Sequence, residues 1–157
     1  MAKSLGGYMK ELIILMLVLA MTLANLAKLR EIEVRVYISK LEGLTLLVSW
    51  LVFLGLALAY GKSPVHYLLS LALGGFLASS YLARGFSSQA FYSSPGRGLL
   101  VRKLDLARLD DISFYGRDKK KSFCLKLKSG RMTFFEKFSL DQKEEILLLM
   151  DRIDRNV

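Results

Sequence analysis

Cysteine is nearly missing from this chain. A lone thiol, Cys124, cannot form an intrachain disulfide, and the second cysteine of a CxxC pair is absent. Histidine is as scarce: His66 alone speaks against an imidazole-based metal site, and no metal or other cofactor is expected. The GxSxG motif is missing too, and the serines have no obvious imidazole partner. The paired carboxylates Asp110-Asp111 and Glu144-Glu145 are sequence neighbours whose side chains point apart, which suits capping and solvation better than acid–base work. Together these absences speak against an enzyme. The two prolines, Pro64 and Pro95, both fall in turn signatures, Gly61-Lys62-Ser63-Pro64 and Ser93-Ser94-Pro95-Gly96. Charged residues are absent from three long runs: Leu12 to Ala27, Leu44 to Tyr60 and Val65 to Ala83.

What is present divides unevenly. Apolar residues make up 53% of the chain and concentrate between Leu12 and Phe86, whereas most charge follows Arg84. This predicts a transmembrane region over 1–86, with spans at about 10–28, 43–60 and 65–83, followed by a soluble domain over 87–157. The first run also has the basic tail and apolar core of a cleaved signal peptide. Retaining it gives the more consistent topology: one side then carries Lys3, Lys10 and Lys62, the other Lys28, Arg30, Arg35, Lys40, Arg84 and the basic C-terminal part. The positive-inside rule places the second set in the cytoplasm and the N-terminus outside. Small residues recur four apart in the second and third spans, Gly55 with Ala59, Gly74 with Ala78 and Gly75 with Ser79, and predict close helix packing within the chain or a homo-oligomer face. His66 lies beside the turn, with no acidic residue in the second or third span to pair with it.

Between the first two spans, Ile32, Val34, Val36 and Ile38 alternate with Glu31, Glu33, Arg35 and Tyr37, which predicts a half-buried cytoplasmic strand over 31–39. A lone strand needs a sheet, and the C-terminal part is the available one. There, Gln89–Tyr92, Leu99–Lys103 and the ISFYG segment read as short strands, about five in all with the hairpin that follows. Ser129-Gly130 is the expected hairpin turn, pairing Leu127 with Met132 and Leu125 with Phe134 on one face, and Lys126 with Thr133 and Cys124 with Phe135 on the other. Ser139 and Gln142 predict a capping box. Ile146, Leu149, Met150 and Ile153 then form the stripe by which a closing helix docks on the sheet face of Leu125, Leu127, Met132 and Phe134.

Short strands, the LDDIS turn into a strand, the FCLKLKSGRMTFFE hairpin and a C-terminal helix together resemble bacterial pleckstrin-homology-like (PH-like) domains, over roughly Ser87 to Asn156. The resemblance implies a bent antiparallel sheet of seven strands closed by one helix, so that either the domain is truncated or Glu31–Ser39 supplies a missing strand. The fold class expected is therefore membrane α-helical with three transmembrane helices, plus a small α+β cytoplasmic domain. The function implied is a non-enzymatic module that binds a partner protein or anionic lipid headgroups. Self-immunity against an antimicrobial peptide and service as an accessory subunit of a membrane transporter or enzyme complex are the alternatives. The basic run Arg117, Lys119, Lys120 and Lys121 is the candidate contact with membrane lipids, and its plain alternative is a solvated turn. Nucleic acid is not an expected partner, because Phe114, Tyr115 and Phe123 are better explained as sheet core.

Overall fold

The computed structural model describes residues 2–94, 100–115 and 121–154. The chain forms two compact units, one of Met1–Ala27 and Ser39–Ser80, the other of Lys28–Ile38 and Tyr81–Val157.

The first unit is helical. It draws on α1 (Ala2–Glu31), α2 (Lys40–Tyr60) and α3 (Pro64–Leu82). The segments Tyr8–Glu31, Lys40–Tyr60 and Pro64–Leu82 are each long and apolar enough to cross a membrane. A helix satisfies its own backbone groups, which hydrocarbon requires. Leu15 and Val18 of α1 pack with Ala72 and Phe76 of α3, with Met21, Val65, Leu69 and Leu73 around them. The start of α2 is set by Ser39. Its backbone N–H donates to Glu42 Oε2 (2.8 Å), and the Glu42 N–H donates to Ser39 Oγ (3.2 Å), a capping box written in the sequence as S-x-x-E.

Among the described residues the second unit holds seven strands: β1 (Val34–Arg35), β2 (Gly85–Phe86), β3 (Ala90–Ser93), β4 (Arg102–Asp105), β5 (Asp111–Phe114), β6 (Ser122–Ser129) and β7 (Met132–Ser139). They form two antiparallel sheets, one ordered β1-β2-β3-β4 and the other β5-β6-β7, followed by α4 (Lys143–Asp154). Val34, Val36, Phe86 and Phe91 share one core with Phe123, Leu125, Leu127, Phe134 and Phe138, and α4 contributes Ile146 and Leu149. The capping box forms: the Ser139 N–H donates to Gln142 Oε1 (3.3 Å). It opens a 3-10 turn, Leu140–Gln142, ahead of α4.

The segment between the first two helices keeps the alternation expected of it. Ile32, Val34 and Val36 are buried, while Glu31, Glu33 and Arg35 are exposed. Its regular ladder is shorter than the span 31–39, only Val34–Arg35, because its partner β2 has just two residues. Single hydrogen bonds extend it: Glu33 N–H to the Phe86 carbonyl (2.9 Å), Val36 N–H to that of Arg84 (3.1 Å) and Tyr37 N–H to that of Lys137 (2.7 Å). The last bond reaches β7, so this segment touches both sheets.

Several boundaries differ from expectation. Gly85–Phe86 adds a sixth strand after Ala83, and the two short strands that follow shift to Ala90–Ser93 and Arg102–Asp105. The hairpin turns at Gly130-Arg131, not Ser129-Gly130, so Leu127 faces Phe134, Leu125 faces Glu136, Lys126 faces Phe135 and Cys124 faces Lys137. The register slides by two residues, which keeps every side chain on its face. Gly130 takes φ 57°, the left-handed region the first turn position needs, and its N–H donates to Asp110 Oδ2 (2.6 Å). Met132 consequently sits at the hairpin end, exposed, and Phe134 takes the place opposite Leu127 assigned to it, while Phe138 faces Phe123 in the core. Phe123 is core as expected, but Phe114 and Tyr115 are 41% and 57% exposed.

Candidate functional site

In the helical unit, the predicted small residues separate into two groups. Gly74 lies under the Trp50 indole so closely that a Cβ there would fall 2.0 Å from Cδ1. Gly75 faces Thr22 of α1, whose Cγ2 would be 4.0 Å from such a Cβ. Ser79 is buried and hydrogen-bonded to the Phe76 carbonyl (2.9 Å). Ala78 is exposed along a groove of about 390 Å³ that Trp50, Gly74 and Gly75 also line. Gly55 and Ala59 are exposed, and nothing lies within 4 Å of a Cβ built on Gly55. Gly74→Ala is therefore expected to separate α2 from α3 and lower the thermal midpoint of the detergent-solubilised chain. Gly55→Ala should leave it unchanged, and an equal midpoint for the two variants would contradict this assignment.

Two polar clusters in these helices were not foreseen. Asn25 of α1, 4% exposed, donates to Ser80 Oγ (3.0 Å) and Ser79 Oγ (3.4 Å) of α3, so the buried amide finds its partners on a neighbouring helix. A solitary Asn inside an apolar run was the available signal. His66 does have an acidic partner: its Nε2 lies 3.3 Å from Glu11 Oε1 at the start of the first span. Its Nδ1 accepts the Ser63 N–H (3.2 Å) and lies 2.9 Å from Ser63 Oγ. In the neutral ring the proton then sits on Nε2, toward Glu11. Ser, His and Glu in a row have the composition of a hydrolytic triad, but Ser63 is 7% exposed and immediately precedes α3, with His66 as its third residue. The arrangement is a helix cap buttressed by the contact of His66 with Glu11.

In the second unit, the basic run meets the limit of description. Arg117, Lys119 and Lys120 lie outside the described residues. Lys121 is exposed just before β6, and its carbonyl accepts the Leu140 N–H (3.3 Å). The strongest electrostatic feature is internal. Arg84 Nη1 lies 3.6 Å from Glu136 Oε2, both side chains 8% exposed, and Ser93 Oγ donates to Glu136 Oε1 (2.6 Å). This triad ties the β2–β3 side of the core to β7. The Arg84 guanidinium also lies over the Tyr81 ring (4.6 Å), a cation–π contact. The sequence hid this site, since Glu136 occupies an inward position in FFEKF and its cation is distant in the chain.

Tyr92 is buried, and its hydroxyl donates to the Glu31 carboxylate. Burial first, then that hydrogen bond and the charges of Glu31 and Asp105, push its phenol up to about 12 from 10.0. The folded chain thus holds this proton more tightly than the unfolded chain does. The associated stability is complete below pH 10.0 and is lost as the pH climbs through about 12. An ultraviolet difference titration of the chain against Tyr92→Phe should show one phenol ionising near 12; ionisation near 10.0 would contradict the buried contact.

The outer face of β5-β6-β7 is organised by the register. Across it, Tyr115 is level with Cys124 and Lys137, Ser113 with Lys126 and Phe135, and Asp111 with Lys128 and Thr133. Tyr115 and Phe135, 57% and 52% exposed, contact each other edge to face with centroids 4.9 Å apart. Burial pushes the Cys124 thiol up, Lys137 opposes this and Glu136 adds to it, so the thiol is poorly activated as a nucleophile. No group of His, Cys, Asp and Glu able to hold a metal ion occurs among the described residues. No family model, curated protein or solved structure matches this chain.

Proposed function

We propose that this protein is a non-enzymatic integral membrane protein, N-terminus outside, whose cytoplasmic unit is a PH-like module that binds a partner protein or anionic lipid headgroups. The observation that carries the reading is the composition of the second unit. It is built from Lys28–Ile38, which follows the first apolar helix, and from Tyr81–Val157, which follows the third. Two crossings, α2 and α3, separate those segments, so a membrane-spanning arrangement brings them to the same side. That side also receives Lys28, Arg30, Arg35 and Arg84, as the positive-inside rule asks of a cytoplasmic face. Seven strands among the described residues and a C-terminal helix support the PH-like reading, with β1 as the strand supplied from between the spans, although the strands form two sheets of four and three where the resemblance implies a single bent sheet.

A binding role is supported by where the polar chemistry sits. The buried ionic group of the second unit is consumed in the Arg84–Glu136–Ser93 network, while exposed aromatics and lysines share the outer face of one sheet. Two measurements test the proposal. A reporter fused to the C-terminus should give a cytoplasmic signal, and an extracytoplasmic signal overturns the topology. A photoreactive residue moved over the exposed positions of the second unit should give lipid or protein adducts at one contiguous set of positions. A scan free of adducts overturns the binding role.

A further inference from the structure

We propose that the outer face of β5-β6-β7 docks on anionic phospholipid headgroups. The inference rests on the binding role above and gives it a surface distinct from the basic run Arg117–Lys121. Strand pairing places Lys126, Lys128 and Lys137 on this face, and none of them makes an ion pair among the described residues. Its carboxylate is Asp111, level with Lys128 and accepting a hydrogen bond from Ser113 Oγ (3.3 Å). Among the described residues, three lysines against one aspartate leave this face with a net positive charge. The exposed Tyr115–Phe135 pair lies among these lysines, an apolar body with a phenolic tip.

Lysines with amphipathic aromatics suit the headgroup layer, where the ammonium groups meet phosphates and the rings enter the interface. The alternative polyanion, single-stranded nucleic acid, asks for ring faces free to stack on successive bases. Here the rings meet at 61°, so one ring's edge occupies the other's face. A bilayer is also the anionic surface to which the chain's own apolar helices tether this unit, giving it a high effective concentration.

The test uses the full chain with Cys124→Ser and Thr133→Cys, since Thr133 is exposed on the same face, and an environment-sensitive fluorophore at the new thiol. In nanodiscs rich in phosphatidylglycerol the fluorophore should shift to the blue, and the shift should fade with salt. Phosphatidylcholine nanodiscs should give none. Reversing Lys126, Lys128 and Lys137 to Glu should lower the docked-to-undocked ratio by at least about a hundredfold, from about fivefold for each lysine charge removed. The corresponding Lys→Gln variant should lose less, and Phe135→Ala should weaken docking with its salt dependence intact. Resistance to limited proteolysis equal to that of the parent chain reports that each variant is folded.

Emission indifferent to phosphatidylglycerol, or equally responsive in the charge-reversed variant, overturns the inference. So does a shift in phosphatidylcholine nanodiscs on adding oligothymidylate or polyglutamate, if phosphatidylglycerol produces none. Photo-adducts at other positions would then still uphold the binding role, whereas a scan without adducts would end both.

Discussion

Gly85→Ala is expected to release β1 from the second unit and to cost about 3 kcal/mol or more, a large part of the roughly 5–15 kcal/mol that stabilises an ordinary domain. Two independent penalties meet at this residue. Its φ of 151° lies where L side chains rarely go. A Cβ there would also fall 2.1 Å from the Val34 carbonyl oxygen and 2.7 Å from Ile32 Cγ2. Either β1 withdraws or β2 does, and each move uncovers Val34 and Phe86, which are 0% and 1% exposed. Gly130→Ala isolates the first penalty: φ is 57°, but nothing lies within 4 Å of its Cβ position, so the cost should be about 1 kcal/mol. Limited proteolysis of the full chain in detergent reads the difference. Gly85→Ala should expose cleavage sites within 28–38 at temperatures where Gly130→Ala and the parent chain resist. Equal resistance of the two variants would mean that β1 is held by something other than its closeness to β2.

That glycine also shows how much of the architecture was legible. The alternation from Glu31 to Ile38 could be read because a strand with one buried face writes a period of two into the sequence, and its solitary position pointed to a sheet elsewhere. Its true length could not be read, because Gly85–Phe86 is too short to leave a periodic trace. The hairpin shows the same division. Faces were evident from FCLKLK, but Ser129-Gly130 and Gly130-Arg131 both offer a two-residue turn, and a slide of two residues leaves the pattern unchanged. The contact of Asp110 with the Gly130 N–H accompanies the observed register, and it is tertiary. Phe114 and Tyr115 looked like core because aromatics between polar residues usually are; their exposure places them near a sheet edge and on its outer face. The three spans were legible because hydrocarbon imposes length and composition directly on sequence. The Glu11–His66 and Asn25–Ser80 contacts were not, because pairing between helices depends on their rotation and on which helices are neighbours.

The Arg84–Glu136 pair should dominate the stability of the second unit in a different manner. Removing either partner alone, as Arg84→Met or Glu136→Leu, is expected to cost about 3–5 kcal/mol, because the charge left behind stays in the core less well compensated. The double variant should recover most of that loss. Leucine at 136 would lie opposite Leu125, and methionine at 84 can fill the stem's volume without a charge to desolvate. Ser93→Ala should cost only about 1–2 kcal/mol, since Glu136 keeps its arginine. Chemical denaturation of the four chains gives the coupling directly. A double variant no more stable than the worse single one would mean that the pair is not the source of the penalty. A recovered double variant would instead show that the charges are retained for something other than stability. The geometry identifies what they constrain: Ser93 holds one carboxylate oxygen and Arg84 approaches the other, joining β3 and the start of β2 to the middle of β7. An apolar core would let the two sheets slide over each other, because leucine and phenylalanine accept many neighbours. A carboxylate held at both oxygens accepts few. The pair therefore joins the two sheets at one place, on the same strand, β7, that carries Phe135 and Lys137 of the outer face.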